Sequence, residues 1–521
     1  MKKHQIGAGL LAAGAALLGM VGYRFARRRQ PAAAETLPPE QKAEMPVLAA
    51  ELPAQLQPER VRPVLARLAA LSPLAAALGL AGWTLAQAQL LESRQPVLPL
   101  LLYIGGLALL LPALRSFPLS AIETRGENGE NKAGSPPFAA SWGGVWGMAA
   151  LLVLMVIATM TPGLFPNPPT LPAEITQRDS AFLFEYLRAQ TQVDWGALFA
   201  VLLIPATYLL VSRFEAGITG RWAGLNLAGL LAAGFLVVSG WPLALVKTGD
   251  IYAALAFFAA LLVTALVNGF TASAALRNIP LASVIGAFAL LILVTWLVSP
   301  LFGALALLVP AFNLLYLLEN RFSRLQVVLG VGAALVLALP FWLVTDSALA
   351  ANSLSQTADG LSPALALLDS LAASLLLFNL TGDPNPLHGI FNRPVLSPPL
   401  AALFVFGLLA WAVRIRGARR WSGGLPLLAL VFGLLPSALA ATYPDAQRAA
   451  LALPAALFFA AYGAAFLARM LVRRLGSLGA ALALWLLLAA LALTAADAYR
   501  HYTVVFLPAA EQAVSALETP P

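Results

Sequence analysis

Apolar runs long enough to cross a ~30 Å hydrocarbon layer as helices recur along this sequence almost from end to end. We read roughly fourteen of them, from one centred on Ala15 to one centred on Leu487. Hydrocarbon offers backbone N–H and C=O groups no water, so such a chain must satisfy them within helices or within a closed barrel. The alternating strands that a barrel needs are missing from the sequence. The expectation is therefore an all-α, polytopic integral membrane protein. With 60% hydrophobic and only 11% charged residues, a string of soluble domains is excluded.

The chain holds 32 Lys and Arg against 24 Asp and Glu, a net charge of +8 at pH 7. That excess alone would suit nucleic acid, but its distribution argues for topology. If the loop after Arg24 is cytoplasmic and each span reverses sides, most basic residues fall on inner loops and most acidic ones outside, as the positive-inside rule requires. The clearest anchors are "RIRGARR" at 414–420 and "RMLVRR" at 469–474. We expect membrane lipids and no nucleic acid as partners. The absence of cysteine removes disulfides, thiol catalysis and thiolate metal sites. Residues 1–23 have the basic start and apolar core of a signal peptide. "RFARRRQ" follows where a small-residue cleavage site would stand, so they read as an uncleaved first span.

Composition divides the rest. Residues 24–67, rich in Pro, Ala, Glu and Gln, read as a cytoplasmic linker. Residues 68–142 hold two spans and a flexible cytoplasmic loop, "ETRGENGENKAGSPP". From Trp142 most connections shorten to turns, one of them at Ser299-Pro300. Two outer segments are long, 163–194 and 345–396, and each carries a stretch with an apolar face suited to an interfacial helix, 180–189 and 362–378. Residues 501–521 read as an extracytoplasmic tail. Long loops with their own helices are where function concentrates.

No ionisable residue falls near the middle of a proposed span, which argues against an ion-coupled transporter. Chemistry then belongs to the outer loops. Their candidates are Glu174, Asp179 and Glu185 in the first, Asp250 and Lys247 in a short turn, Asp383, Asn385, His388 and Arg393 in the second, and Arg448 in "YPDAQRAA". Carboxylates beside cations at a membrane surface suit a reaction in which an acid group takes a hydroxyl proton while cations hold a departing phosphate. Each also has a plain alternative. Asp383 before Pro384 can initiate a turn through its side chain; His388 can be an interfacial hydrogen-bonder; Arg393, Lys247 and Arg448 can anchor to headgroups; Glu174 and Asp179 can serve the first turn of a helix. No soluble cofactor signature is visible, and a divalent metal is left open.

The stretch "FNLTGDPNPLHGIFNRPVLSPP" at 378–399 resembles a loop of membrane glycosyltransferases of the dolichyl-phosphate-mannose protein mannosyltransferase kind, within the GT-C group. Gly382, Asp383, Pro384, Asn385, His388, Arg393, Pro394, Leu396 and Pro398 match in order. Arg448 and Pro454 in "PDAQRAALALP" resemble a second family run. The resemblance implies a GT-C-like core at 143–500 in a bacterial plasma membrane, active on the extracytoplasmic face. It implies transfer of a sugar from a polyprenyl-phosphate-linked donor to a lipid, glycan or protein acceptor. Where the family has an Asp-Glu pair this sequence reads Ala173-Glu174, which leaves Glu174 or Asp179 as base. Lys247, His388, Arg393 and Arg448 would bind phosphate, and Asp383 and Asn385 would shape the loop or contact the sugar. The competing expectations are an inactive GT-C-like scaffold or glycolipid binder, and a lipid or glycan flippase.

Overall fold

The computed structural model describes residues 149–158, 195–215, 226–241, 244–245, 250–276, 298–311, 363–388, 391–418, 421–440 and 444–518, with isolated positions at 185, 189, 292, 295, 328 and 331–332. Among them the structure is helical, with no strand beyond one isolated bridge between Asp383 and Phe391. The principal helices are α1 (Trp195–Glu215), α2 (Leu227–Val238), α3 (Asp250–Leu276), α4 (Pro363–Leu376), α5 (Pro398–Ala418), α6 (Leu425–Ala438), α7 (Leu453–Arg500) and α8 (Leu507–Glu518). Among the described residues, three helical runs are long and apolar enough to cross a membrane: Trp195–Ser212, Pro398–Ile415 and Arg448–Ala516. The expected linker, the three N-terminal spans and most of the first outer segment lie outside the described residues.

The third run is two arms. Gly476 sits at φ 59°, ψ −130°, backbone space open to residues without a Cβ, and there α7 breaks. A Cβ on Gly479 would lie 2.1 Å from the Leu471 carbonyl oxygen, so the chain folds back tightly on itself. Arms 453–475 and 477–500 each measure about 35 Å, enough for the hydrocarbon thickness. The break falls beside Arg473 and Arg474, where the sequence reading placed an inner loop. The first arm is buried almost throughout, whereas the second exposes Leu484, Trp485 and Leu488, a face that lipid tails can cover.

Helices of equal apolarity to lipid gain nothing by hiding from it, so they associate by close packing at small residues. The pairing of α5 with the first arm of α7 shows this. A Cβ on Gly407 would lie 1.8 Å from the Phe459 carbonyl oxygen, and one on Gly463 would lie 2.3 Å from that of Leu403; the backbones touch. Around the contact Trp411 meets Phe458 and Tyr462 edge-on at 5.0 Å each, and Phe404 meets Phe378 at 5.6 Å. The Trp411 indole N–H donates to the Gly423 carbonyl at 2.8 Å, so the ring is satisfied as well as packed.

Three expectations are refined. The 362–378 stretch is a helix, α4, but it packs on α6, with Ser374 and Ser437 hydroxyls 3.2 Å apart in the interior. The Ser299-Pro300 step does not merely turn between spans: Ser299 caps an eight-residue 3₁₀ helix, Pro300–Leu307, accepting the Leu301 N–H. Its residues Leu301 to Ala306 are buried, which gives this tighter helix the tertiary support that it needs at such length. The segment read as a tail is helical too, continuing through a π-turn, His501–Phe506, into α8 with its own cluster of Tyr502, Phe506 and Ala510.

Candidate functional site

Between α4 and α5 the chain runs through residues 377–397, and two successive side-chain turns give the segment its shape. Asp383 Oδ1 accepts the Asn385 N–H at 2.8 Å, and Asn385 Oδ1 accepts the Leu387 N–H at 3.0 Å. Asp and Asn bond their own backbone two residues on, and each prolyl step between them removes a competing donor. The Asp383 carbonyl then accepts from the Asn392 N–H at 2.7 Å, with Asn392 at φ 52°, a left-handed position that asparagine tolerates. The fold-back is so tight that a Cβ on Gly382 would fall 1.9 Å from the Arg393 nitrogen.

The other oxygen of Asp383 reaches across the sequence. Oδ2 accepts the Ala446 N–H at 2.6 Å and lies 2.8 Å from His388 Nδ1. Asp445 Oδ1 stands 3.8 Å from the same nitrogen and accepts the Arg448 N–H at 3.0 Å, while the Asp445 N–H donates to Ser437 Oγ. Asp383, His388 and Asp445 are all buried. Their geometry fixes the imidazole. Asn385 Oδ1 is committed to the Leu387 N–H, so its amide nitrogen faces His388 Nε2 at 2.9 Å as donor. Nε2 is then the acceptor, and the proton sits on Nδ1, donated to the Asp383 carboxylate.

Their ligating atoms lie within 4.8 Å of one another, a spacing that a cation could bridge. Asp383 Oδ2 already receives two N–H bonds and Asp445 Oδ1 receives one, so a cation would have to displace the His388–Asp383 bond. The arrangement fits a closed polar network that ties two distant segments together, where every satisfied member rigidifies the rest.

Arg393 leaves the same loop in another direction. Its Nη1 donates to the Asp497 carbonyl at 3.0 Å and its Nη2 is ion-paired with the Asp497 carboxylate, on the second arm of α7. Below the ion pair Ser397 and Thr494 hydroxyls meet at 2.8 Å. Burial, and then the charge of Arg500, lower the Arg393 guanidinium to about 10, which leaves it cationic at neutral pH. Beside it opens a cavity of about 30 Å³ lined also by Ser239, Trp241, His501 and Tyr502.

The structure thus gathers Asp383, Asn385 and His388 with the segment that carries Arg448, which is half-buried at the start of a 3₁₀ turn. Glu174, Asp179 and Lys247 lie outside the described residues. Sequence reasoning missed Asp445, Gln447, Asp497 and His501. Asp445 had a signal, since it follows Pro444 and stands three residues before Arg448 in a quoted motif; Asp497 was hidden by the apolar run around it. Comparison with known proteins finds no matching family model, no similar curated protein and no similar solved structure.

Proposed function

We propose that the chain is a polytopic membrane glycosyltransferase of roughly fourteen spans, moving a sugar from a polyprenyl-phosphate-linked donor to a lipid, glycan or protein acceptor at the outer face of a bacterial plasma membrane. The observation that supports this reading most is the bond from Ala446 to Asp383. It joins the two stretches that separately resemble the transferase family, 382–398 and the run containing Arg448.

In this reading Glu174 or Asp179 takes the proton of the acceptor hydroxyl. The hydroxyl oxygen then bonds to the anomeric carbon as the bond from that carbon to the phosphate oxygen breaks, and the phosphate departs on its polyprenyl chain. Arginine suits the departing group because its planar fork matches two phosphate oxygens, which favours Arg393 and Arg448, with Lys247 as a further charge. Asp383, Asn385 and His388 are turned on one another and act by holding the loop. An inactive, glycolipid-binding scaffold is the second reading, favoured by Ala173 where the family pair has an acid.

The test is transfer by the purified full chain in vesicles supplied with radiolabelled polyprenyl-phosphate sugars. Glu174→Gln or Asp179→Asn is expected to abolish transfer with folding intact. Normal transfer by both variants refutes the assigned base, and a wild type inert with every donor favours the scaffold.

A further inference from the structure

After Asp383 the sequence has no carboxylate until Asp445, and after Asp445 none until Asp497. Apart from Arg393 and Arg448, the arginines of that stretch fall in two groups, four at 414–420 and three at 469–474. This excess belongs to the sequence, whatever local bonds each side chain makes. The fold brings both groups to one end of the bundle. α5 leaves the 377–397 loop at Pro398, and the first arm of α7 leaves the 445–448 segment that Asp383 ties to that loop. The two pack side by side through Gly407 and Gly463. The 21 residues of α5 extend about 31 Å, so their basic ends emerge together, about one membrane thickness from the loop.

At that end Arg473 and Arg474 are exposed, directly before the break at Gly476. Past the break Leu478, Leu482 and Trp485 succeed one another at helical spacing on one face of the second arm, and they are 61%, 40% and 71% exposed. Trp485 lies about 14 Å along the arm from Gly476, deeper than the headgroup level where indoles are enriched. We propose that the α7 break is a binding site for one anionic diacyl phospholipid, its phosphate held by Arg473 and Arg474 and an acyl chain laid along Leu478, Leu482 and Trp485. Arginine presents paired donors that match phosphate oxygens, and its long stem carries the guanidinium to headgroup level from a helix end. A zwitterionic lipid has the same phosphate beside its own cation, so net negative charge is what this end of the bundle selects. The headgroup engages the first arm and the tail the second, so the lipid bridges the break from outside. The site lies at the far end of α5 and α7 from the 377–397 loop and uses none of the groups assigned to sugar transfer. It stands whether or not the chain is a transferase.

The test is native mass spectrometry of the full chain in detergent, titrated with phosphatidylglycerol and with phosphatidylcholine of identical acyl chains. The wild type is expected to retain one phosphatidylglycerol per chain roughly tenfold more tightly than phosphatidylcholine, the scale of one charge-assisted contact. Arg473→Gln combined with Arg474→Gln is expected to fold, since both side chains are exposed, and to lose the preference. The corresponding pair of lysine substitutions, which retains charge without the forks, is expected to keep a weaker preference. Trp485→Ala trims the tail contact and not the charge, so it is expected to weaken both lipids alike. Arg419→Gln combined with Arg420→Gln tests for diffuse attraction and is expected to leave the preference in place. The proposal is overturned if the wild type does not discriminate between the lipids, or if the Arg473 and Arg474 glutamine pair still does. It is equally overturned if the Arg419 and Arg420 pair abolishes discrimination as completely, or if Trp485→Ala leaves retention of both lipids unchanged.

Discussion

Asp383 Oδ2 accepts the Ala446 backbone N–H at 2.6 Å across 63 residues of sequence. One carboxylate thereby does two jobs, since its other oxygen builds the turn at Asn385. That one side chain thus contributes both to the local shape of the 382–397 loop and to its attachment to the 445–448 segment. From this coupling a stability effect larger than that of an ordinary turn residue is expected.

Asp383→Asn keeps the volume but turns one acceptor into an amide N–H₂ facing either the Asn385 N–H, or both the Ala446 N–H and His388. We expect a loss of about 2–4 kcal/mol, the range for breaking a buried, charge-assisted network at one member. Thermal or denaturant unfolding of the detergent-solubilised protein reads it. A change under about 0.5 kcal/mol, the size of a surface substitution, would contradict the network.

His388 carries its proton on Nδ1, with Nε2 accepting from Asn385. Nitrogen-15 NMR of histidine-labelled protein should show one ring pair with a protonated Nδ1 and a bare Nε2, and Asn385→Asp should protonate Nε2 of that ring as well. The opposite tautomer in the wild type would mean that the Asn385 amide is reversed and the second turn is not made.

Gln447 is buried beside this network, and neither its amide oxygen nor its nitrogen has a hydrogen-bond partner among the described residues. Leaving a buried amide unpaired is costly, and an apolar side chain of like volume avoids that cost. Gln447→Met should therefore raise stability by about 1–2 kcal/mol. Destabilisation by that substitution would reveal an unseen partner for the amide.

Gly476→Ala places a Cβ at φ 59°, ψ −130°, a conformation held almost wholly by glycine. We expect a cost of about 2 kcal/mol from backbone strain alone, since nothing lies within 4 Å of the added atom. Double electron–electron resonance between labels on the two arms distinguishes strain from straightening. Unchanged stability and unchanged distances would place the break elsewhere.

How much of this was legible depends on which groups do the holding. The helices α1, α5 and α7 follow from apolar length, and the turn chemistry of Asp383 follows from the Asp-Pro-Asn-Pro text, because side-chain turns are local. The attachment to Ala446 could not be read, because its donor is a backbone N–H that every residue but proline owns. The inner connection expected around "RRLGSLG" is a break at one glycine within α7, which loop composition does not announce. Asp497 escaped because, in an apolar run, its meaning depends on Arg393, a partner contributed by another element. Ser437 escaped likewise, being one hydroxyl in a hydrophobic helix until Asp445 and Ser374 meet it.

The pairing of Arg393 with Asp497 spans 104 residues, which sets a timetable for biogenesis. At about 5–20 residues per second of translation, the ribosome works for roughly 5–20 seconds after adding Arg393 before Asp497 exists. Through that interval the guanidinium must rest on headgroups or on an insertion partner. Nascent chains halted before α7 is complete should accordingly be the ones that quality-control proteases meet with this arginine still bare.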